Sequence, residues 1–541
     1  MKLNKKHIIC SGRYFLLFLI LSLIISVKVG ATDYYAVPDG AGNNDGSSWN
    51  NAIKGEDIEY FVNTVMKGGD KLFLDDNGSY FYDLQINITN GGADKHATKI
   101  IEGVDRGEGY PIMKGSGRSN GVFIFLNASV SYLSIRNLNV EDYKYVVETE
   151  EDIARPNQYI TIDGLDINNV TDGLYLRDFR NSTIKNCEVT YHTKRGVRLR
   201  TGCRNLKIID CFTDHNMGNF GDFPSNQFPV GFEVGEGRHD TDSLDQTNIT
   251  FIRCEARNCI DDDQSYYNGD GFLVNDKHHN IAFYDCIAYG NADGGWDNKG
   301  VDVYFENCIA VANKNNIRVW HSATLVNCLT ANPHRYEGPG GYNIWLDGKW
   351  GDAIVDMYNC TSHNGPISSS EKKVQIEYAE NCIFSAGIDN SWIASGDNNV
   401  YTENFDDPDY LAPSDEYNGH PMNAYNSQKY GPDRGYWFVE GEKPVISELE
   451  ALPSLGDTPL TVEFTITAGD PDGQDTNLNY VWILSGGEIS SQQEFSYTFN
   501  VPGEYEVICR VVDEDYLSAS DTVCVTVTGN YPPEVAFLEP F

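Results

Sequence analysis

The sequence predicts an all-β chain, a parallel β-helix solenoid followed by an Ig-like β-sandwich, on three observations. The first is a recurring phrase between residues 187 and 382, a short apolar strand ending in Cys with Asn or Asp usually just before it. It reads "IKNCEV", "IIDCFT", "FIRCEA", "FYDCIA", "YFENCIA", "TLVNCLT", "MYNCTS" and "AENCIFS", marked by Cys187, Cys211, Cys254, Cys286, Cys308, Cys328, Cys360 and Cys382. The spacings are 24, 43, 32, 22, 20, 32 and 22, a unit near 22 with insertions. A period of this size marks stacked units that cannot bury their apolar face alone. The second observation is that each unit consists of β-branched and aromatic strands with Asn/Gly turns rather than helical stripes. The third is a change after "EGEKP" to short alternating strands such as "LTVEFTI", "YVWIL" and "YEVICRVVD", the pattern of a small sandwich.

Residues 1–31 read as a signal peptide: Lys2, Lys5 and Lys6, the apolar run "YFLLFLILSLIIS", then "VGA" as a small-residue cleavage site. An uncleaved anchor is the alternative, for which the apolar run is short. The mature chain is expected to be secreted, with no membrane span. Residues 32–440 are assigned to the β-helix. Its N-terminal part, "GEDIEYFVNTVMKGGDKLFLDD", reads as a capping helix and then a first coil, since a solenoid needs its open end covered. Insertions fall at about 215–247, 257–268 and 332–341, and insertions in solenoids gather on one face. Residues about 385–440, rich in Asp, Asn and Tyr, close the last coils.

Residues 443–530 resemble a PKD domain in the run "GDTPLTVEFTI…YVWILSGG…FSYTFNVPGEYEVICRVVDEDYLSASDTVCVTV", with "LSGG" where such domains usually carry "FGDG". Trp482 is its expected core tryptophan, and Cys524 is expected to face outward, away from Cys509. The role implied is spacer or carbohydrate attachment. Residues 531–541 read as the start of a further module or a tail.

The chain carries a formal charge of −39, and removing Lys2, Lys5, Lys6, Arg13 and Lys28 with the leader leaves −44. That field disfavours nucleic acid. An anionic substrate would need local cations or a metal to meet it. The thirteen cysteines suggest disulfides in an exported chain. Most, however, share one repeat position and are expected as an inward stack of reduced thiols, because strands about 4.8 Å apart do not by themselves give disulfide geometry. Asn186, Asn307, Asn327, Asn359 and Asn381 read either as an amide ladder or as plain turn formers. The chain is read as a monomer.

Aligning the strand before each Cys-marked strand gives "DGLYLRD", "RGVRLRT", "VGFEVGE", "DGFLVND", "GGWDNKG", "NNIRVWH" and "YNIWLDG". Alternation puts Leu174, Val197, Phe232, Phe272, Trp296, Ile317 and Ile344 inside. One outward row is then Tyr175, Arg198, Glu233, Leu273, Asp297, Arg318 and Trp345. A second is Arg177, Arg200, Gly235, Asn275, Lys299, Trp320 and Asp347. Either these are ordinary solvated strand faces or they form a saccharide groove. Exposed Trp320 and Trp345 in line with Arg318 favour the groove, with Arg198, Arg200, Glu233, Trp320 and Trp345 as substrate-binding candidates. Within it, Asp270, Asp293 and Asp297 gather over one turn and its neighbour. Oxygen-only ligands favour Ca²⁺, as catalytic or structural ion, and aspartates serving turns are the plainer reading.

"DGF", followed 23 residues after its Asp by "NADGGWD", is similar to the motif of family 9 polysaccharide lyases, right-handed parallel β-helix enzymes that cleave pectate. There an Asp before Gly-Phe and three Asp in an "ADDGWD" run hold a catalytic Ca²⁺. The resemblance implies Ca²⁺ at Asp270, Asp293 and Asp297, with Gly294 at the fourth ligand position. It also places Arg318, in "NNIRVW", where the family has its catalytic Lys. β-Elimination needs the uronate carboxylate neutralised and a base for the adjacent proton. Arg318 serves as that base or as a carboxylate clamp, since guanidinium holds its proton. Lys299 is the reserve base, or merely pairs with Asp297. The expected function is calcium-assisted cleavage of an acidic, uronate-containing polysaccharide. Glycoside hydrolysis by a carboxylate pair, Glu233 with Asp297 or one from Asp261 to Asp263, is an alternative. A non-catalytic glycan binder or adhesin is the other.

Overall fold

The computed structural model describes residues 31–107, 109–215, 228–235, 246–261, 267–275, 278–335, 340–350, 353–370, 375–385, 390–401, 444–471, 478–484, 487–512 and 518–529. Residues 1–30 of the expected leader, residues 402–440 at the end of the expected β-helix and the tail expected over 531–541 therefore lie outside the described residues. Thirty-five described strands join in one continuous sheet whose pairings are all parallel, each coil bonded only to the coils before and after it. This is a right-handed β-helix. The N-terminal cap is a short helix, Ile58–Tyr60 continuing through a π turn at Phe61–Val65. It buries Ile58, Val62 and Met66 against the first coils.

The alternation in the sequence sets the interior. Leu174, Val197, Phe232, Phe272, Trp296, Ile317 and Ile344 stack in register and are buried. Rings in this column lie nearly parallel, Phe232 on Phe272 at 5.0 Å and Phe272 on Trp296 at 4.9 Å. A second column, Phe251, Phe283 and Phe305, meets it edge to face. Offset and edge contacts of this kind add to area burial.

The Asn-Cys phrase is a bend. Asn186, Asp210, Arg253, Asp285, Asn307, Asn327, Asn359 and Asn381 all take the left-handed conformation, which Asn and Asp tolerate best among residues with a side chain. The following Cys then points inward and its thiol donates to the carbonyl two residues earlier, at 3.2 Å for Cys187 and 3.3 Å for Cys328. All eight repeat cysteines are buried and free. The asparagines are both turn formers and a ladder: Asn186 donates to Asp163 at 2.8 Å, Asn307 to Asp285 at 3.0 Å and Asn327 to Asn307 at 2.8 Å.

The C-terminal unit is a sandwich of a three-stranded and a five-stranded sheet. Trp482 is fully buried in its core and donates to the Gln492 carbonyl at 2.7 Å. Cys509 is buried, Cys524 is exposed, and both are free. Arg510 pairs with Glu306 of the solenoid wall, and Tyr159 donates to Glu504 at 2.9 Å. Among the described residues no helix is long and apolar enough to cross a membrane.

Candidate functional site

One sheet of the solenoid carries the candidate residues, built from the strand ends Asn157–Arg177 and Glu188–Arg200 and the strands Val230–Val234, Asp270–Val274, Gly294–Asn298, Asn315–Val319 and Tyr342–Leu346. Its central outward row is Tyr175, Arg198, Glu233, Leu273, Asp297, Arg318 and Trp345, one residue per coil in unbroken register. Backbone bonds from Gly235, Asn275, Lys299, Trp320 and Asp347 to the preceding coils continue the second row. A third row runs on the other side. There Asp172 pairs with Arg195, Arg195 with Val230 and Val230 with Asp270. Asp270 then meets Gly294 of the next coil through a hydrogen bond from the Gly294 N–H at 2.7 Å.

These rows bring Asp270, Asp293, Asp297, Lys299, Arg318 and Trp320 into one cluster. Trp320 Nε1 donates to Asp297 Oδ1 at 2.6 Å, and Lys299 pairs with the other oxygen of the same carboxylate. Arg318 lies over the Trp320 ring at 4.2 Å, donates to Asp347 Oδ2 at 2.7 Å and stands 3.9 Å from Asp297 and 4.0 Å from Asp293. The sequence places Trp320 exposed; it is 6% exposed, because Arg318 and Lys299 fold over it and its N–H turns in to Asp297. Trp320 is thus the floor beneath the cations. Trp345 is half-buried, packed on Tyr342 at 4.6 Å.

Two residues that strand alignment did not single out complete the cluster. Lys314, in the turn before Asn315–Val319, sets its Nζ 2.6 Å from Asp293 Oδ1, and Asn315 Nδ2 donates to the same oxygen at 3.2 Å. A buried amide chain fixes this turn: Asn291 to Asn313 at 2.8 Å, Asn313 to Asn316 at 3.0 Å and Asn316 to Asn343 at 2.9 Å. The sequence signal for it is "NNI" followed one coil later by "YNI", asparagines at corresponding positions of successive units.

Burial, then the neighbouring charges of Asp297 and Asp293, pushes the Asp270 carboxyl up to about 8. Burial also opposes the Asp297 carboxylate, but Lys299 and Arg318 outweigh it and hold Asp297 below its ordinary value. Burial disfavours the Arg318 cation, and Asp297 with Asp347 more than restores it, so Arg318 keeps its proton. Its geometry is that of a carboxylate clamp.

The calcium implied by the resemblance would have to displace the ammonium groups that Asp293 and Asp297 hold here. Among the described residues no three His, Cys, Asp or Glu side chains are placed to hold a metal ion. Ca²⁺ takes six to eight oxygens, whereas Asp293 and Asp297 each already carry an ammonium group.

Farther along the same sheet the guanidinium groups of Arg177 and Arg198 lie 4.7 and 4.9 Å from the Tyr175 ring centre, and Arg200 Nη1 donates to its hydroxyl at 3.3 Å. Glu233 is buried rather than open to a ligand. Arg195 grips it at 2.7 and 3.3 Å and Arg198 at 2.9 Å, and together they overcome burial to hold its carboxylate below the ordinary range. Both Glu233 oxygens are thus engaged by arginines. Of the run from Asp261 to Asp263, Asp261 is buried and the other two lie outside the described residues.

Residues 153–349 match the model of the right-handed β-helix region, and residues 448–527 match the PKD domain. No curated protein matches the chain. Among solved structures it is similar to an alginate lyase from Paenibacillus sp. str. FPU-7, at 12% identity over 63% of this chain and 99% of that one, with a TM-score of 0.35. Pectate lyase Pel9A matches at 12% identity over 68% and 80%, with a TM-score of 0.33. The PKD1 domain of Vibrio anguillarum Epp matches at 26% identity over 16% and 96%, with a TM-score of 0.14. The chain carries a right-handed β-helix region followed by a PKD domain.

Proposed function

We propose that this chain degrades an acidic, uronate-containing polysaccharide by β-elimination in the groove of its β-helix, as an exported enzyme. The observation that carries the reading is the interleaving of Lys299, Lys314 and Arg318 with carboxylates on one open parallel sheet, over the indole of Trp320. An acidic protein gains by concentrating its cations where an anionic polymer must lie. In this reading Arg318 clamps the uronate carboxylate, which makes the neighbouring carbon acid stronger. Lys299, an ammonium paired with Asp297 in the resting site, gives its proton to solvent as the polymer displaces it and then accepts the proton from that carbon. The electron pair forms the carbon–carbon double bond as the glycosidic oxygen departs and takes a proton from water. Arg177, Arg198 and Arg200, gathered around Tyr175, meet a carboxylate farther along the polymer.

The test is the ultraviolet absorbance of unsaturated uronate while the mature protein meets pectate, alginate, glycosaminoglycans and ulvan, each with calcium and with chelator. A rise on one polymer supports elimination and identifies the glycan. Reducing ends without absorbance would replace the proposal with hydrolysis, and retention of polymer without shortening would replace it with binding. Calcium dependence is read from the same experiment.

A further inference from the structure

We propose that Lys299, Lys314 and Arg318 take the place of a divalent cation among Asp270, Asp293 and Asp297, so that the groove handles an anionic sugar without metal, with Lys314 as the positioning residue for Asp293. This deepens the proposed function, since it names what meets the substrate carboxylate there. Three observations carry it. First, each of two aspartates has its own ammonium partner: Lys314 reaches Asp293 at 2.6 Å from the turn below one end of the strands, and Lys299 reaches Asp297 from the other end. Second, Arg318 spans the gap, within 4.0 Å of Asp293 and 3.9 Å of Asp297, and is fixed from behind by Asp347 at 2.7 Å. Ammonium and guanidinium groups placed this way satisfy carboxylates that a calcium ion would otherwise gather.

Third, the position where a further carboxylate would stand is closed. A Cβ on Gly294 would lie 2.8 Å from Asp270 Oδ1 and 3.1 Å from the Asp297 backbone nitrogen. A side chain there would push Asp270 off the hydrogen bond that its Oδ1 accepts from the Gly294 N–H at 2.7 Å. The strand thus offers Asp270 a backbone N–H at this position and no further side-chain oxygen. Lys314 matters in a different way from Arg318. It lies off the strand rows, against the aspartate rather than the polymer, and holds Asp293 Oδ1 jointly with Asn315 at 3.2 Å.

The experiment uses the full mature chain and calcium ion alone, with no polysaccharide, so that it stands apart from the lyase reading. Thermal unfolding is followed with chelator and with millimolar CaCl₂ for the wild type, Lys299→Met with Lys314→Met, and Asp293→Asn with Asp297→Asn. The expected wild-type shift at this site is nil: any calcium-dependent rise persists unchanged in the aspartate variant and so arises elsewhere. The lysine double variant, with two carboxylates uncovered, is expected to gain a calcium-dependent rise of roughly 2 °C or more. A wild-type rise of that size that vanishes in the aspartate variant would overturn the proposal, whether or not the lysine variant folds. On a responding polysaccharide in chelator, Lys314→Arg is expected to keep turnover and Lys314→Met to lose it at least tenfold; equal loss in both would remove Lys314 as a positioning cation.

Discussion

Replacing Asp172 with Asn should stabilise the protein at neutral pH and do nothing at pH 3.5. Asp172 faces the groove sheet yet is fully buried, and neither carboxylate oxygen has a hydrogen-bond partner. Burial pushes its carboxyl from 3.8 up to about 6, against the pull of Arg198, 3.9 Å away, and of Arg195 and Lys194, with Glu233 adding to the rise. Below pH 3.8 the group is protonated both folded and unfolded, and it adds nothing. Between 3.8 and about 6 the unfolded chain ionises while the folded one holds its proton, so stability falls as pH rises. Above that window the full penalty is present. The interval from 3.8 to about 6, at 1.36 kcal/mol per pH unit, amounts to about 3 kcal/mol. Asn has the same shape without the charge and should recover most of it, a gain in Tm of several degrees at pH 7.5 that shrinks to nothing by pH 3.5. Scanning calorimetry of the two proteins across that range is the assay. A difference independent of pH, or a wild type more stable than Asp172→Asn at pH 7.5, would refute the reasoning and show that the three cations win over burial.

Glu233→Ala should destabilise the β-helix by about 3 to 5 kcal/mol in denaturant unfolding, because it leaves Arg195 and Arg198 buried without their shared partner. Trp296→Ala should cost about 3 to 5 kcal/mol in the same measurement, since it removes the ring stacked on Phe272 and met edge-on by Phe305, on the strand that carries Asp297. Arg318→Met should lower turnover on the responding polysaccharide about a hundredfold or more in steady-state kinetics, while the far-ultraviolet circular dichroism stays unchanged.

The strand rows were legible because a period of two is rigid. Once Phe232, Phe272 and Trp296 are placed inside, Glu233, Leu273 and Asp297 have nowhere to point but out, and the register agrees coil by coil. The Asn-Cys bend was legible for a similar local reason, a residue tolerant of the left-handed region followed by a small side chain that fits within the bend. Alternation, however, gives only direction. It sends Trp320 outward, and cannot say that Arg318 and Lys299 close over the ring or that Asp297 draws its N–H down. It passes over Lys314, which lies in a turn and enters the cluster only when Asp293 of the preceding coil is beneath it. It likewise gives Glu233 an outward place, while the two arginines that cover it come from an earlier coil through side chains long enough to reach back. Pairwise charge geometry across coils has no signature in any single stretch of sequence.

The register holds through spacings as different as 43 residues between Cys211 and Cys254 and 20 between Cys308 and Cys328, with Phe212 still opposite Glu255 and Ile309 opposite Leu329. Coil length and coil alignment are therefore independent variables. The floor behaves as a fixed ruler with one graduation per coil, and the length of chain between graduations can grow or shrink without moving a mark. Transplanting the stretch between two bends from another β-helix should alter which polymer lies along the ruler and leave Asp297 and Arg318 on adjacent graduations, one strand apart.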